Sequence, residues 1–350
     1  MTTTNHSRRW LLKTATFMTA AATLPSLARA DDSAIAPAAP AEADPIAPPP
    51  VTSLSIMLDW YVNPTHGPIV IAHQKGFFKE HGLDVTLRTP ADPSAPPKLV
   101  AAGQIDLALS YQPQLHLQVG QGLPLVRVGT LIGTPLNVLV VRKDSNIKSL
   151  SDLKGKSVGY SVGGVERVLL DGMLKHSGLS EHDIDLVNVN FSLTPALISG
   201  KVDAVTGAFR NFELAQMAQE GVEGRPFYIE EHGVPAYEEL VFIANTETIA
   251  SHQRAFSSFM KAIEEAALWT INHPNEGWEL FKAYDPVLDN ELNHQAWQQS
   301  VSRFALRPAA TDAGRYLRFQ QFLLDNHAIE QKVPVDRLTL DINNLPPAPK

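Results

Sequence analysis

Two stretches of this chain are near-copies of one another: Ala102-Gly103-Gln104-Ile105-Asp106-Leu107-Ala108 and Ser199-Gly200-Lys201-Val202-Asp203-Ala204-Val205. In each, a glycine closes a short helical segment, because it takes the positive φ that ends a helix without steric cost. An aliphatic–Asp–aliphatic alternation then begins a strand. The surroundings repeat as well. Ahead of the first copy run a strand (Leu54, Ile56 and Leu58, with Trp60 extending the same face), a helical segment opened by Pro68 and running from Ile69 to Glu80, a strand from Leu83 to Leu87, and a short helix from Pro97 to Ala102. Ahead of the second run a strand over 156–160, a helix opened by Gly164 with apolar Val165, Val168, Leu169 and Met173, a strand from Asp185 to Val189, and a short helix from Thr194 to Leu197. Strands connected through helices pair in parallel. The pattern therefore predicts an α/β fold of two similar lobes, each a mostly parallel sheet flanked by helices.

The rest of the chain joins these lobes twice. Val138 to Val141 is an apolar run leaving the first half, and Leu240 to Ala244 reads as a strand crossing back. Beyond Ser251, the expected N-cap, Phe256, Phe259, Met260, Ile263 and Ala267 share one helical face, and further helices are expected over 275–283, 291–304 and 312–326. The organisation expected is lobe 1 over 51–140, lobe 2 over 141–237, and 238–350 as a return strand plus helices packed on lobe 1.

The amino terminus reads as an export signal. Ser7-Arg8-Arg9-Trp10-Leu11-Leu12-Lys13 is a twin-arginine pattern, followed by a weakly apolar stretch and Ala28-Arg29-Ala30, a small-x-small cleavage site. Residues 1–30 are thus expected to be a twin-arginine-type signal directing the protein to the periplasm. Residues 31–50, with six prolines and seven alanines, are expected to be an extended linker without a core.

Composition removes several function classes. At 44% hydrophobic and 19% charged, the 350 residues can fill two cores. The absence of cysteine excludes disulfides, thiolate metal sites and a cysteine nucleophile. A net charge of −8 argues against nucleic acid or anionic lipid as the main partner. The histidines form no H-x-x-x-H or H-E-x-x-H pair, and there is no G-x-S-x-G or P-loop. No metal, cofactor or catalytic set is expected.

The stretches Lys75-Gly76-Phe77-Phe78-Lys79-Glu80-His81-Gly82-Leu83-Asp84-Val85 and Ala101 to Ala108 resemble the periplasmic solute-binding proteins of ABC importers. Leu58-Asp59-Trp60-Tyr61-Val62-Asn63-Pro64-Thr65-His66, Gly207-Ala208-Phe209-Arg210-Asn211-Phe212-Glu213 and Glu230-Glu231-His232-Gly233-Val234-Pro235 are similar to the thiamine-pyrimidine subgroup, which holds the formyl-aminopyrimidine-binding proteins and the fungal pyrimidine synthases. The resemblance covers roughly Leu54 to Ile249. It implies a two-lobed, type II-like binding protein that closes like a hinge on a small heteroaromatic ligand, delivers it to an ABC permease and ATPase, works as a monomer and performs no chemistry. One departure is Phe209, where the family often carries tyrosine.

Ligands of open α/β sheets sit beyond the carboxyl ends of the strands, which directs attention to particular residues. Trp60 follows the first strand and offers a ring face for stacking, or else a core packing residue. Asp59, Asn63 and His66 share its loop, His66 serving either as a contact or as a structural histidine. Tyr111 follows the strand ending at Ser110. Gly163 and Gly164 open a helix and present backbone N–H groups to a carbonyl or anion, or simply form a tight turn. Glu166 lies in that helix's first turn. From the resemblance, Phe209 is expected as a second stacking wall and Glu213 as the acceptor for an aminopyrimidine edge, with Asn211 close by. Glu231 is placed either at the cleft or at the hinge. Alternatives are the same scaffold binding riboflavin or a sulfonate such as taurine, a sensor domain, and a pyrimidine-synthesis enzyme, the last disfavoured by the missing cysteines.

Overall fold

The computed structural model describes residues 51–345; the expected export signal and linker lie outside them. The chain builds β1 (Thr52–Met57), α1 (Gly67–Lys75), α2 (Phe77–Glu80), β2 (Leu83–Arg88), α3 (Pro96–Ala101), β3 (Leu107–Ser110), α4 (Gln112–Gly120) and β4 (Leu125–Ile132). It then crosses over as β5 (Asn137–Arg142) and repeats the pattern with β6 (Ser157–Tyr160), α5 (Val165–His176), β7 (Asp185–Asn188), α6 (Leu193–Ile198), β8 (Ala204–Phe209), α7 (Glu213–Gln219) and β9 (Gly224–Tyr228). It returns as β10 (Leu240–Asn245) and ends in α8 (Ile249–Asn272), α9 (Pro274–Lys282), α10 (Glu291–Ser300) and α11 (Ala313–Asp325).

Two five-stranded sheets result, ordered β2-β1-β3-β10-β4 and β7-β6-β8-β5-β9. In each, three strands pair in parallel (β2-β1-β3 and β7-β6-β8), and the fourth, β10 or β5, runs antiparallel because it is the crossing strand arriving from the other lobe. The repeated sequence motif has a matching mechanical role in both lobes. Asp106 Oδ2 accepts hydrogen bonds from the Ser55 N–H and hydroxyl, both at 2.7 Å. Asp203 Oδ2 accepts the same pair from Ser157, at 2.9 and 3.0 Å. Each serine hydroxyl in turn accepts from its aspartate's N–H. The aspartate that begins the third strand is therefore latched to the first, its parallel neighbour in the sheet.

Three details depart from the sequence reading. The single helix expected over 69–80 is broken at Gly76, whose φ of 81° turns the chain between α1 and α2. Ser251 is not a cap: α8 starts two residues earlier, and the Ser251 hydroxyl donates back to the Thr248 carbonyl. The carboxy-terminal helices do not all pack on the first lobe. Phe256 and Phe259 of α8, Phe281 of α9 and Trp297 of α10 join its core, but Phe319 and Leu323 of α11 pack into the core of the second lobe with Leu169, Met173 and Tyr237. The apolar positions of α11 span two faces, and the second lobe covers one of them. Among the described residues, no helix is long and apolar enough to cross a membrane.

Two crossovers, 133–136 and 229–239, form the hinge. Glu239 fastens them together: its Oε2 accepts from the backbone N–H of Leu136 (2.5 Å) and Asn137 (2.9 Å) and from the Tyr237 hydroxyl (3.1 Å). Arg210 donates to the carbonyls of Leu136 and Asn137 and pairs with Glu230 at 2.6 Å. Neither Glu239 nor Arg210 lines the cleft cavity, so both serve the joint.

Candidate functional site

The carboxyl ends of the parallel strands of both sheets face one cleft. A cavity lined by side chains of both lobes lies there, where small-molecule sites of two-lobed α/β folds are expected. The first lobe contributes Asp59, Trp60 and Asn63 from the loop after β1, and Tyr111 from the turn after β3. The second contributes Val162 and Glu166 after β6, Leu193 at the start of α6, Gly207 and Phe209 at the end of β8, and Phe212 and Glu213 at the start of α7.

Aromatic rings bridge the two walls. Trp60 meets Phe191 edge to face with ring centroids 4.5 Å apart, Tyr61 meets Phe212 at 6.1 Å, and Tyr111 meets Phe209 at 6.5 Å. Each pair has one member on each lobe, a geometry favoured by ring quadrupoles.

Polar groups in the pocket are held firmly. The His66 Nδ1 accepts from the Asn63 N–H at 3.2 Å, so its other nitrogen is the one that carries hydrogen and donates to Asp59 Oδ1 at 2.9 Å. Asp59 Oδ2 accepts from the Tyr111 hydroxyl at 3.0 Å. Burial first, and then the charge of Asp59, push the Tyr111 phenol well above its ordinary value. Tyr111 thus stays protonated, spends its hydrogen on Asp59, and offers the pocket an oxygen acceptor. Asn63 lines the cavity, yet its amide serves the loop: Oδ1 accepts from the Thr65 N–H and hydroxyl, and Nδ2 donates to the Tyr61 carbonyl.

Two carboxyls stand opposite this chain. Glu166, only 4% exposed, bends back so that Oε2 accepts from the Ser161 N–H at 2.6 Å. Desolvation raises its pKa to about 8, against the opposing pull of the Ser161 and Val162 N–H groups, and the charge of Glu213 adds to the rise. Gly207 makes room for it: a Cβ there would lie 2.1 Å from Glu166 Oε1, and the φ of +86° also disfavours a side chain. Glu213, 8% exposed, accepts from the Phe209 N–H at 2.6 Å, and burial raises its pKa to about 7. The second-lobe wall therefore presents two carboxyls that hold their protons more tightly than ordinary ones, facing Asp59 of the first lobe, and among the described residues no Lys or Arg lines the pocket.

Of the residues singled out from sequence, Asp59, Trp60, Asn63, Tyr111, Glu166, Phe209 and Glu213 come together on this cavity. The others stand elsewhere. His66 is fully buried behind Asp59. Asn211 turns away from the cleft and donates to the Ser300 hydroxyl of α10 at 2.8 Å. Gly163 and Gly164 are exposed at the seam between lobes, where the Gly163 N–H donates to Ser94 Oγ at 3.4 Å. Glu231 is exposed in a short turn within the second crossover of the hinge. Val162, Leu193, Gly207, Phe212 and, against Trp60, Phe191 were missed. Gly207 alone carried a signal, as a glycine interrupting a strand pattern. Among the described residues, no three His, Asp or Glu stand close enough to hold a metal ion.

Two sheets, a two-stranded crossover and a cleft at the strand ends define the two-lobed periplasmic-binding-protein fold. The alkanesulfonate-binding protein of Xanthomonas axonopodis has this fold and superposes with a TM-score of 0.65 at 15% identity, over 83% of this chain and 97% of that one. The chain belongs to the NMT1/THI5-like family, whose model matches residues 63–277. It is 51% identical to a protein of Haemophilus influenzae named for thiamine biosynthesis, over 83% of this chain and 92% of that one. It is 32% identical to the formylaminopyrimidine-binding protein of Halalkalibacterium halodurans, over 71% and 76%. It is also 28% identical to a 4-amino-5-hydroxymethyl-2-methylpyrimidine phosphate synthase of Saccharomyces cerevisiae, over 72% and 77%.

Proposed function

We propose that this chain is the periplasmic solute-binding component of an ABC importer, and that it captures an aminopyrimidine precursor of thiamine of the formylaminomethyl or hydroxymethyl type. The observation that carries the reading is the pairing of two buried carboxyls with an aromatic box. An aminopyrimidine presents a flat ring and, along one edge, an exocyclic amine beside a basic ring nitrogen. A carboxyl meets that edge with two parallel hydrogen bonds in either charge arrangement: as an acid toward the neutral ring, or as a carboxylate toward the protonated one. The raised pKa values of Glu166 and Glu213 keep both forms within reach near neutral pH. Trp60, Phe191, Phe209 and Phe212 supply apolar walls and ring faces.

The names of two relatives agree with this ligand class. A sulfonate, the ligand class for which a fold neighbour is named, would face carboxyls where it needs cations, so the pocket argues against it. A synthase role fits less well: the acidic and phenolic groups of the pocket are engaged with backbone N–H groups or with one another, and no side-chain nucleophile among the lining residues stands beside a free base. Closure of the lobes as a monomer, recognised by the permease, completes the reading. It is tested by titrating the full chain with 4-amino-5-hydroxymethyl-2-methylpyrimidine while following tryptophan fluorescence. Saturable quenching that weakens at least tenfold in Glu213→Gln is expected; an unchanged affinity in that variant sinks the assigned role of Glu213.

A further inference from the structure

Beside the main cavity lies a smaller one, lined by Ser94, Pro97, Ser110, Gln114 and Val162. Asp59, Tyr111 and Val162 line both, so the two compartments share a wall. Two polar atoms of its lining lack hydrogen-bond partners among the described residues. Ser110 is 1% exposed and Gln114 7% exposed, and among the described residues neither the Ser110 hydroxyl nor Gln114 Oε1 has a hydrogen-bond partner. Buried polar atoms without partners are costly and uncommon, and two lining one small space call for an explanation. Their placement adds to it. Gln114 Oε1 lies 3.6 Å from where a Cβ on Gly164 would be, and Ser94 takes the Gly163 N–H, so the compartment is closed by the loop of the opposite lobe.

We propose that this side compartment reads the substituent of the ligand whose ring occupies the main cavity, and that Ser110 and Gln114 are specificity-determining residues for a small hydrogen-bonding group, of which a formamide is the best match. A formamide N–H supplies the donor that Gln114 Oε1 lacks, and its carbonyl accepts from the Ser110 hydroxyl, satisfying both orphans at once. A methyl group in the same place leaves both unpaired and is discriminated against for that reason. This inference rests on the aminopyrimidine reading of the main cavity.

The test is a comparison of three ligands on the full chain by calorimetry: 4-amino-5-formylaminomethyl-2-methylpyrimidine, its 5-hydroxymethyl counterpart and 4-amino-2,5-dimethylpyrimidine. The wild type is expected to bind the formylaminomethyl compound at least tenfold more tightly than the dimethyl one, with the hydroxymethyl compound between them. In Ser110→Ala and Gln114→Leu that preference shrinks by about fivefold or more, while affinity for the dimethyl compound stays within about twofold. The wild-type comparison stands even if a variant fails to fold. Equal wild-type affinity for all three ligands, or equal losses for all three in both variants, overturns the substituent-reading role and leaves a compartment filled by bound water or needed for packing. Failure of the wild type to bind any of the three overturns the aminopyrimidine reading itself, and this inference with it.

Discussion

Among the described residues, Glu166 and Glu213 are the only carboxyls on the second-lobe wall of the cavity, and their protonation makes the protein's stability depend on pH. A carboxyl whose folded-state pKa is about 8, against the usual 4.5, binds its proton more tightly in the folded chain. The stability this provides is fully present below the unfolded value and is lost as pH rises toward the folded one. Glu213 and the hinge carboxyl Glu239, both raised to about 7 chiefly by burial, act in the same direction. The melting temperature of the ligand-free protein should therefore fall from about pH 5 to pH 8, and Glu166→Gln should flatten the upper part of that decline. A wild-type melting temperature that rises across the window contradicts the assignment. At the neighbouring position, Gly207→Ala should displace Glu166, weaken aminopyrimidine binding at least tenfold and lower the melting temperature, because the added methyl falls on Oε1 in a backbone region that alanine resists. Among single residues the sequence spoke unevenly. Trp60, Tyr111 and Phe209 were legible because they follow strands whose ends must face the cleft. Asn211 was not, because no periodicity specifies which way a side chain points from a loop, and its partner Ser300 is far along the chain.

Between elements, the latch of Asp106 on Ser55 and of Asp203 on Ser157 explains why the duplicated motif was the clearest feature of the sequence. It is local in sequence on the aspartate side and acts on the strand that must be the neighbour. Asp106→Ala and Asp203→Ala should each destabilise the fold by about 1 kcal/mol, partly exposed hydrogen bonds being worth no more, and should leave ligand affinity nearly unchanged. Chemical denaturation of the two variants checks this, and a loss of binding without a loss of stability would place the aspartates in the site instead. The strands of both lobes were readable from alternation and glycine punctuation. The break at Gly76 and the packing of α11 on the second lobe were not: a glycine within a helical pattern marks either a turn or close packing, and an amphipathic helix shows that it has an apolar face without showing what covers it.

In the whole molecule, the lobes meet through pairs that each take one member from either side: Trp60 with Phe191 and Tyr111 with Phe209 at the cleft, and Asn211 with Ser300 of α10 away from it. Such contacts favour closure whatever is bound. Asn211→Ala should accordingly weaken every ligand by a similar factor, about threefold to tenfold, whereas a residue that touches the ligand changes their ranking. A change of ranking in Asn211→Ala, seen in parallel titrations of two pyrimidines, would move Asn211 into the site. Above all, this two-lobed body is read as built for an aminopyrimidine. Calorimetric titration decides that, using the full chain, unfolded and refolded to remove carried-over ligand, with formylaminomethyl-pyrimidine, hydroxymethyl-pyrimidine, thiamine, riboflavin and taurine as titrants. Saturable one-to-one binding of an aminopyrimidine is expected, with no heat from taurine or riboflavin. Binding of taurine or riboflavin with none of either pyrimidine would contradict the reading, keeping the fold and removing the ligand.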